Sequence, residues 1–126
     1  MRTALCLAAL LAVSGCAADA AEEAELLAEH GVSEIIIAYP MAHPAKLKRL
    51  VTLLKLYPEI EFKVIASAPG HLTALSEVAQ TAGVELGVYV DLDTGMHRTG
   101  VQPGQEAGGF YSSIAATPGL KALGAH

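Results

Sequence analysis

Two hydrophobic patterns alternate along this chain of 126 residues, and they predict strands and helices in turn. Predicted strands occupy residues 34–39, 62–66, 86–93 and 120–126, and the first contains the continuous apolar run Ile35-Ile36-Ile37. Such runs are typical of parallel strands that are covered on both faces. Between them, apolar residues recur at helical spacing, as at Leu47, Leu50, Val51 and Leu54. With a further strand after the apolar N-terminal segment, the pattern predicts five strands separated by helices in an α/β fold.

Residues that start or stop helices mark the boundaries of these elements. Asp19 followed by Glu22 is an N-cap with a capping-box partner, and Pro44 suits the first turn of the next helix. A long Gly-rich loop is predicted over residues 95–109, with a short helix over 110–116. Parallel strands joined in this way form either an open doubly wound sheet or an arc of a (βα)8 barrel, and spacing alone leaves both architectures open.

The N-terminal segment supports two interpretations. Residues 4–13 are apolar and follow Arg2, which is the pattern of an export signal, and Val13-Ser14-Gly15-Cys16 resembles a lipobox in which Cys16 would be lipidated. Alternatively, residues 1–13 form a buried Ala/Leu-rich helix that runs into a buried strand. The first interpretation predicts a membrane-anchored protein, whereas the second includes the segment in the folded domain.

The composition limits the class of protein. Hydrophobic residues make up 52% of the chain and charged residues 17%, which excludes a disordered tail. The formal net charge is −5, so a nucleic-acid partner is not expected. The 2 cysteines are too few for a disulfide scaffold. The length suits one small domain, whereas a complete (βα)8 barrel needs about 250 residues, so the chain could supply only part of a barrel.

The segment with candidate chemistry is VYVDLDTGMHRTGV, at residues 88–101. A predicted strand ends there in Asp91 and Asp93, and His97 and Arg98 follow between glycines. Sites in α/β folds lie at the carboxyl ends of strands, and glycines let the backbone approach a ligand closely. Arg98 could hold a phenolate, carboxylate or phosphate through charge-assisted hydrogen bonds. The alternative is a turn with an Asp–Arg pair on the surface.

This segment closely resembles the strand-and-loop motif of fold-type III pyridoxal-phosphate enzymes. It is most similar to the D-threonine aldolase and D-serine dehydratase branch, which is close in plan to the alanine racemase N-terminal domain. Weaker resemblances occur in the same order along the chain: EEAELLAEHGV at 22–32, EIIIAYP at 34–40, PAKLKRL at 44–50 and PGLKALGAH at 118–126. The resemblance spans residues 14–126. It implies a partial (βα)8 TIM-type barrel, about strands two to six, in one domain over residues 1–126.

The resemblance also implies roles for residues at the strand ends. Arg98 matches the arginine that approaches the ring phenolate of pyridoxal phosphate. Asp91 and Asp93 are expected to orient Arg98 and its loop rather than act as the catalytic base. Tyr39 is a candidate for lining the cofactor pocket, because it ends its strand on the same side. His97 is a candidate for contacting substrate, with a structural role as the alternative.

Other polar residues are expected to lie away from this chemistry. His30 and His71 stand beside predicted helix ends, where they should be solvated. Lys63 starts a strand, so it should face the opposite end of the barrel. The solvated side of the second helix is predicted to carry its basic residues: Lys46, Lys48, Arg49 and Lys55.

Departures from the family pattern shape the functional prediction. The lysine that holds pyridoxal phosphate as a Schiff base in these enzymes has no counterpart among Lys46, Lys48, Lys55, Lys63 and Lys121. The metal-binding His and Cys of this branch lie in a further domain that the sequence does not match, so no metal site is predicted. The chain is therefore predicted to be a fragment of a pyridoxal-phosphate-dependent lyase that acts on small D-amino acids, by aldol cleavage or by β-elimination, and to be inert alone.

Location and assembly follow from the same resemblance. The register with the family makes the lipobox a coincidence, so a cytoplasmic location is expected. The alternative function is a small exported lipoprotein, anchored through Cys16, that acts as a binding module. A remnant that binds pyridoxal phosphate without a covalent bond is a third hypothesis. Related enzymes often build sites across a dimer, so a homodimer is a further expectation.

Overall fold

Strand and helix alternate throughout the part of the chain that the computed structural model describes, residues 8–11 and 20–126. The strands are β1 (Ala8–Leu11), β2 (Glu34–Ile37), β3 (Glu61–Ala66), β4 (Leu86–Val90) and β5 (Leu120–Ala125). The helices are α1 (Ala20–Glu29), α2 (Pro44–Leu56), α3 (Pro69–Ala82) and α4 (Gln105–Ala116). The α/β alternation predicted from the hydrophobic pattern is confirmed.

The sheet has the strand order of a barrel segment. All four strand pairs are parallel, and the order is β1-β2-β3-β4-β5, so each strand pairs with the next one along the chain. An open doubly wound sheet would reverse its strand order at one point, whereas successive strands of a (βα)8 barrel are neighbours throughout. The fold is therefore a partial (βα)8 TIM-type barrel, as the resemblance implied.

The hydrophobic core lies between the sheet and the helices. Alternate strand residues such as Ile35, Val64 and Val88 are almost fully buried there, since successive side chains on a strand point to opposite faces. Leu50 of α2 and Leu75 of α3 pack on this face of the sheet with no exposed surface. The core is mostly aliphatic, and its burial fixes which strand residues face the other, concave side.

The amino end of the concave face holds an ion-paired lysine. Lys63 of β3 lies 2.5 Å from Glu34 and 3.5 Å from Glu61, measured from Nζ to the carboxylate oxygens, and its side chain is 12% exposed. The hydrogen bond to Glu34 raises the pKa of Lys63, and burial opposes this shift. Lys63 thus lies at the end of the sheet away from the strand-end loops, as predicted.

The helix predicted over residues 1–13 is wrong where the structure describes that segment. Ala8–Leu11 is a strand, and Leu10 pairs with Ile36 in parallel register. Alanine and leucine favour helices, but intrinsic propensity is a weak preference that pairing within a sheet overrides. Cys16 and Asp19, which carried the lipobox and the N-cap predictions, lie outside the described residues. Among the described residues, no helix is long and apolar enough to cross a membrane.

The boundary between the Gly-rich loop and the last helix also differs from the prediction. Helix α4 begins at Gln105 instead of residue 110, so Gly108 and Gly109 lie inside it. Each glycine costs a helix roughly 1 kcal/mol relative to alanine. Ala107, Phe110 and Ile114 pack against the core at helical spacing and offset that cost.

Arg49 corrects the expectation of a purely solvated face on α2. Its guanidinium lies 3.2 Å from a carboxylate oxygen of Glu22 and 2.5 Å from one of Glu25, both on α1. These bonds raise the pKa of Arg49, with Glu25 contributing most. The contact joins two neighbouring helices, but exposed pairs of this kind contribute little to stability because solvent screens them.

Candidate functional site

A cavity of about 300 Å³ lies at the carboxyl ends of the central strands. Ile65 lines it from β3, and Ala38 and Asp91 line it from the residues just after β2 and β4. Arg98 from the following loop and His126 from the residue after β5 belong to the polar part of its wall. The segment that the sequence singled out therefore meets neighbouring strand ends at one concave site.

The loop over residues 93–100 is closed by backbone hydrogen bonds. The N–H of Asp93 donates to the carbonyl of Val101 at 2.9 Å, and the N–H of Val101 donates to the carbonyl of Asp91 at 2.8 Å. Gly100 has φ +104°, and a Cβ there would lie 2.4 Å from the backbone nitrogen of Asp93. The loop can thus return against its own strand end only because residue 100 is glycine.

Asp93 holds the loop from inside. Its carboxylate accepts hydrogen bonds from the N–H groups of Gly95 at 2.9 Å and His97 at 3.0 Å, and it lies 2.7 Å from Nδ1 of His97. The two backbone N–H bonds, with the His97 ring, lower the pKa of Asp93 to about 2. His97 has φ +53°, a left-handed conformation that is uncommon for a residue with a side chain. The Asp93–His97 contact therefore has a structural role in shaping the loop.

Arg98 stands on this loop with an exposed side chain. The contact that the structure records for its guanidinium is from Nη2 to the sulfur of Met96, at 3.7 Å. No hydrogen bond joins it to Asp91 or Asp93 in the described part of the chain. Asp93 thus orients the loop backbone, as expected, but the expected contact between the aspartates and the guanidinium is absent from this structure.

Asp91 is buried beside the same cavity. Only 6% of its surface is exposed, and its Oδ2 has no hydrogen-bond partner among residues 8–11 and 20–126. The nearest recorded charged neighbour of Oδ1 is Nδ1 of His126, at 4.0 Å. The backbone holds Asp91 from both sides, because its N–H donates to Ala66 at 2.9 Å and the next residue, Leu92, donates to His126 at 3.0 Å. A buried carboxylate oxygen without a partner is costly.

His71 is not solvated, contrary to the sequence-based expectation. It stands in the first turn of α3, and its Nδ1 accepts a hydrogen bond from the N–H of Ser67 at 3.2 Å. Burial lowers the pKa of His71, and the negative charge of Asp91 opposes that shift. The one sequence signal for this placement is that His71 follows the carboxyl end of β3 by a few residues. His30, by contrast, is exposed and bonds the carbonyl of Leu26 at 2.7 Å.

Tyr39 lies in a neighbouring cavity and does not line the one beside Asp91. That second cavity, of about 410 Å³, is bounded by Tyr39, His43 and Lys46. The Lys46 ammonium lies 5.4 Å from the centre of the Tyr39 ring, within the range of a cation–π contact. His43 caps α2 by accepting the N–H of Ala45 at 3.3 Å. A cofactor contact for Tyr39 therefore stays a prediction.

The lysines of this chain lie away from the cavity beside Asp91. Lys63 and Lys121 line a third cavity, next to the amino ends of β3 and β4. Lys48 and Lys55 are exposed on α2, and Lys46 faces Tyr39. Within the described residues, no group of three or more His, Cys, Asp or Glu side chains could hold a metal ion.

Comparison with known proteins identifies the family. The model of the alanine racemase N-terminal domain matches residues 2–125, so the chain belongs to that family. Among curated proteins, 3-hydroxy-D-aspartate aldolase of Paracoccus denitrificans (strain Pd 1222) is 32% identical over 98 residues, which are 78% of this chain and 25% of that protein. The chain therefore spans about a quarter of the length of this relative.

Solved structures with a similar fold include an aldolase and a racemase. The crystal structure of D-threonine aldolase from Filomicrobium marinum matches with a TM-score of 0.76 and 28% identity, over 83% of this chain and 28% of the other. Alanine racemase from Clostridium difficile 630 matches with a TM-score of 0.53 and 18% identity, over 84% of this chain and 31% of the other. At that identity the racemase supports the fold alone. The chain is a partial homologue of these aldolases.

The residues at the cavity are compatible with part of a pyridoxal-phosphate site. Members of this family use pyridoxal phosphate. The cavity combines a guanidinium free of any carboxylate, on Arg98, with a buried carboxylate oxygen that has no partner, on Asp91. A cation and an acceptor of this kind suit the polar edge of an aromatic ring with an anionic oxygen.

Proposed function

We propose that this chain forms the Arg98-bearing part of a pyridoxal-phosphate-dependent enzyme that cleaves D-amino acids. The observation that carries the proposal is the loop over residues 93–100, which fixes a free guanidinium at the carboxyl ends of a partial TIM-type barrel. The similarity to a 3-hydroxy-D-aspartate aldolase and to a D-threonine aldolase supports a lyase over a racemase. Aldol cleavage is the favoured reaction, and β-elimination is the alternative.

Arg98 is the cofactor-binding residue of this proposal. Its guanidinium holds the ring phenolate of pyridoxal phosphate through charge-assisted hydrogen bonds. Bound pyridoxal phosphate supplies the electron-withdrawing ring that carbanion chemistry at the α-carbon requires. The protein contributes orientation and a positive charge that keeps the phenolate ionised.

Asp93 and His97 act on Arg98 through the loop backbone. Asp93 accepts two N–H groups of the turn that carries Arg98, and His97 adds a ring contact to the same carboxylate. A loop held in this way presents Arg98 without reordering, which reduces the entropic cost of binding. Both are positioning residues in this proposal, and His97 does not contact substrate. A homodimer stays a prediction.

The chain by itself is proposed to be catalytically inert. Covalent attachment of pyridoxal phosphate requires a lysine amine at the cavity, and none of the residues lining the cavity beside Asp91 is lysine. Lys63 cannot replace it, because its amine is ion-paired to Glu34 and Glu61 at the opposite end of the sheet. Binding of pyridoxal phosphate to this chain should therefore be weak and reversible.

Titration with pyridoxal phosphate tests this function. We expect a saturable change in the cofactor absorbance with the wild-type chain, and at least a roughly tenfold weaker affinity for Arg98→Gln, because a charge-assisted hydrogen bond is lost. Arg49→Gln is the matched control, since Arg49 lies on the outer helices and pairs with α1. Equal affinities for Arg98→Gln and the wild type would rule out the assigned role.

Borohydride reduction followed by mass spectrometry tests the second part. The wild-type chain should carry no site-specific pyridoxyl adduct after reduction. An adduct on one lysine, together with cleavage of D-threonine by the purified chain, would contradict the proposed inertness while leaving the family assignment intact.

We also propose a cytoplasmic location, with the N-terminal segment retained in the domain. Pairing of Ala8–Leu11 with β2 supports this, because removal of a signal peptide would remove a strand of the sheet. The alternative lipoprotein would require Cys16 at a new N-terminus. Membrane association of the expressed protein that is lost in Cys16→Ser would favour the lipoprotein.

A further inference from the structure

Asp91 carries a buried negative charge that the described residues do not neutralise. Its Oδ2 is buried without a hydrogen-bond partner, and only 6% of the residue is exposed. Buried charges in proteins are normally paired or hydrogen-bonded, since removing a carboxylate from water is expensive. Asp91 also lines a cavity of about 300 Å³, so its side chain borders the space that a ligand would occupy.

The groups that face Asp91 do not supply the missing donor. His71 of α3 is the first of these groups, and its Nδ1 accepts a hydrogen bond from the N–H of Ser67. Ser67 follows Ala66, whose carbonyl accepts the backbone N–H of Asp91. Burial lowers the pKa of His71, which disfavours the imidazolium form that could balance the charge of Asp91. His126 is the second, with Nδ1 4.0 Å from Oδ1, beyond hydrogen-bond distance.

Charged groups of the loop leave the same oxygen free. Asp93 directs its carboxylate to Gly95 and His97, within its own loop. The Arg98 guanidinium contacts the sulfur of Met96 and lines the cavity together with Asp91. The cavity therefore offers one unpaired anion and one cation to a small ligand.

We propose that the Asp91 carboxylate, which borders this cavity, is the subsite for the primary ammonium group of a small α-amino acid. An ammonium beside this carboxylate donates a charge-assisted N–H bond and neutralises the buried charge. An α-amino acid is the favoured class of ligand because it carries an ammonium for Asp91 and, in the chain without pyridoxal phosphate, a carboxylate for the open guanidinium of Arg98, within the volume of this cavity. The proposed function enters this inference at one point only, which is the choice of a D-amino acid as the ligand used to test it.

A matched pair of ligands tests this subsite without any cofactor. D-serine and D-glycerate differ in the group at the α-carbon, which is an ammonium in the first and a hydroxyl in the second. We would titrate each into the full chain at pH 7 and follow the backbone amide of Leu92 and the ring proton of His71 by NMR. We expect D-serine to bind at least about tenfold more tightly than D-glycerate.

Two variants locate the effect. Asp91→Asn keeps the shape of the side chain and should remove at least about tenfold of the affinity for D-serine while leaving D-glycerate binding unchanged or stronger. Glu85→Gln is the matched control, because it removes a carboxylate charge at the opposite end of β4, where Glu85 precedes the strand and lines the third cavity. This variant should bind D-serine like the wild type. The dispersion of each amide spectrum confirms that the variant is folded.

Several outcomes would overturn the inference. Equal affinity for D-serine and D-glycerate, or undiminished D-serine binding by Asp91→Asn, would show that Asp91 does not recognise the ammonium. An effect of Arg98→Gln on the Asp91 carboxyl resonance of the ligand-free chain would assign Oδ2 to the arginine instead. Failure of pyridoxal phosphate to bind would contradict the proposed function alone, because these titrations contain none.

Discussion

The two ends of the sheet treat buried charge in opposite ways. At the amino end, Lys63 is ion-paired with Glu34 of the neighbouring strand β2 and with Glu61 of its own strand, so its charge is balanced. At the carboxyl end, Asp91 keeps an unpaired buried oxygen, although His71 and His126 stand nearby. In barrels of this type, the amino-end face contributes stability and the carboxyl-end face carries chemistry. In this chain, too, the buried charge at the amino end is paired, and the buried charge at the carboxyl end is left unpaired.

Gly100→Ala should produce the largest change at the carboxyl end. A Cβ at this position would lie 2.4 Å from the nitrogen of Asp93 and 2.5 Å from the carbonyl carbon of Leu92, in a backbone conformation with φ +104°. We expect a loss of about 2–4 kcal/mol in the free energy of unfolding, measured in urea. Gly95→Ala is the control, because φ is also positive there but a Cβ meets nothing within 4 Å. Equal losses would mean that the close approach at Gly100 is unimportant.

Lys63→Met tests the amino end. The substitution removes the partner of Glu34 in a partly buried setting, so we expect the free energy of unfolding to fall by about 1–3 kcal/mol. Lys55→Met, at an exposed position of α2, should change it by less than about 0.5 kcal/mol. A neutral Lys63→Met would indicate that the ion pair contributes nothing to stability and would weaken the contrast between the ends.

Asp91→Asn should act in the opposite direction. Replacing an uncompensated buried carboxylate by a neutral amide should raise the free energy of unfolding by about 1 kcal/mol, even as ligand binding is lost. Glu85→Gln, with the same change in charge, should have no measurable effect on stability. Destabilisation by Asp91→Asn would mean that the carboxylate is already satisfied in solution, against the proposed subsite.

The pH dependence of the loop should give the smallest effect. The folded-state pKa of Asp93 is about 2, below its usual value of 3.8. As the pH falls, this carboxylate is therefore protonated in the unfolded chain before it is protonated in the folded chain. The contribution of Asp93 to stability is therefore complete above about pH 4 and disappears as the pH falls through 2. NMR should show the amides of Gly95 and His97 losing their ordered signals over that window. Asp93→Asn should show no such transition there.

Much of the fold could be predicted because its signals are local. The apolar run of β2 and the helical spacing from Leu47 to Leu54 identify their elements without reference to the rest of the chain. Ala8–Leu11 could not be assigned in this way, since alanine and leucine suit a helix equally and only pairing with β2 decides. The start of α4 was missed for the same reason, because packing on the core outweighs its glycines.

The residues of the candidate site also fall into two groups, those with a local sequence signal and those whose placement depends on distant parts of the chain. Arg98 and Asp93 lie within a few residues of each other in a recognisable motif, so sequence alone places them in one loop. His71 is 20 positions before Asp91, and its burial depends on Ser67 and Ala66 meeting β4 across the sheet. Tyr39 lies two residues beyond the end of β2 rather than in the strand, and it borders another cavity, because the alternation of the strand no longer fixes side-chain direction there.

The bridge between Leu92 and Val101 makes the intervening segment a self-closing unit. The hydrogen bonds that close the loop, its tight glycine and its internal carboxylate come from residues 91–101, and its backbone bonds to Ala66 and His126 use only their carbonyl groups. Such a segment depends little on the side chains of its neighbours, so it can be transplanted as one cassette between barrels of the same curvature. Chimeras that exchange these eleven residues should therefore transfer ligand preference while leaving the host scaffold intact, which gives natural recombination and protein engineering a convenient point of exchange.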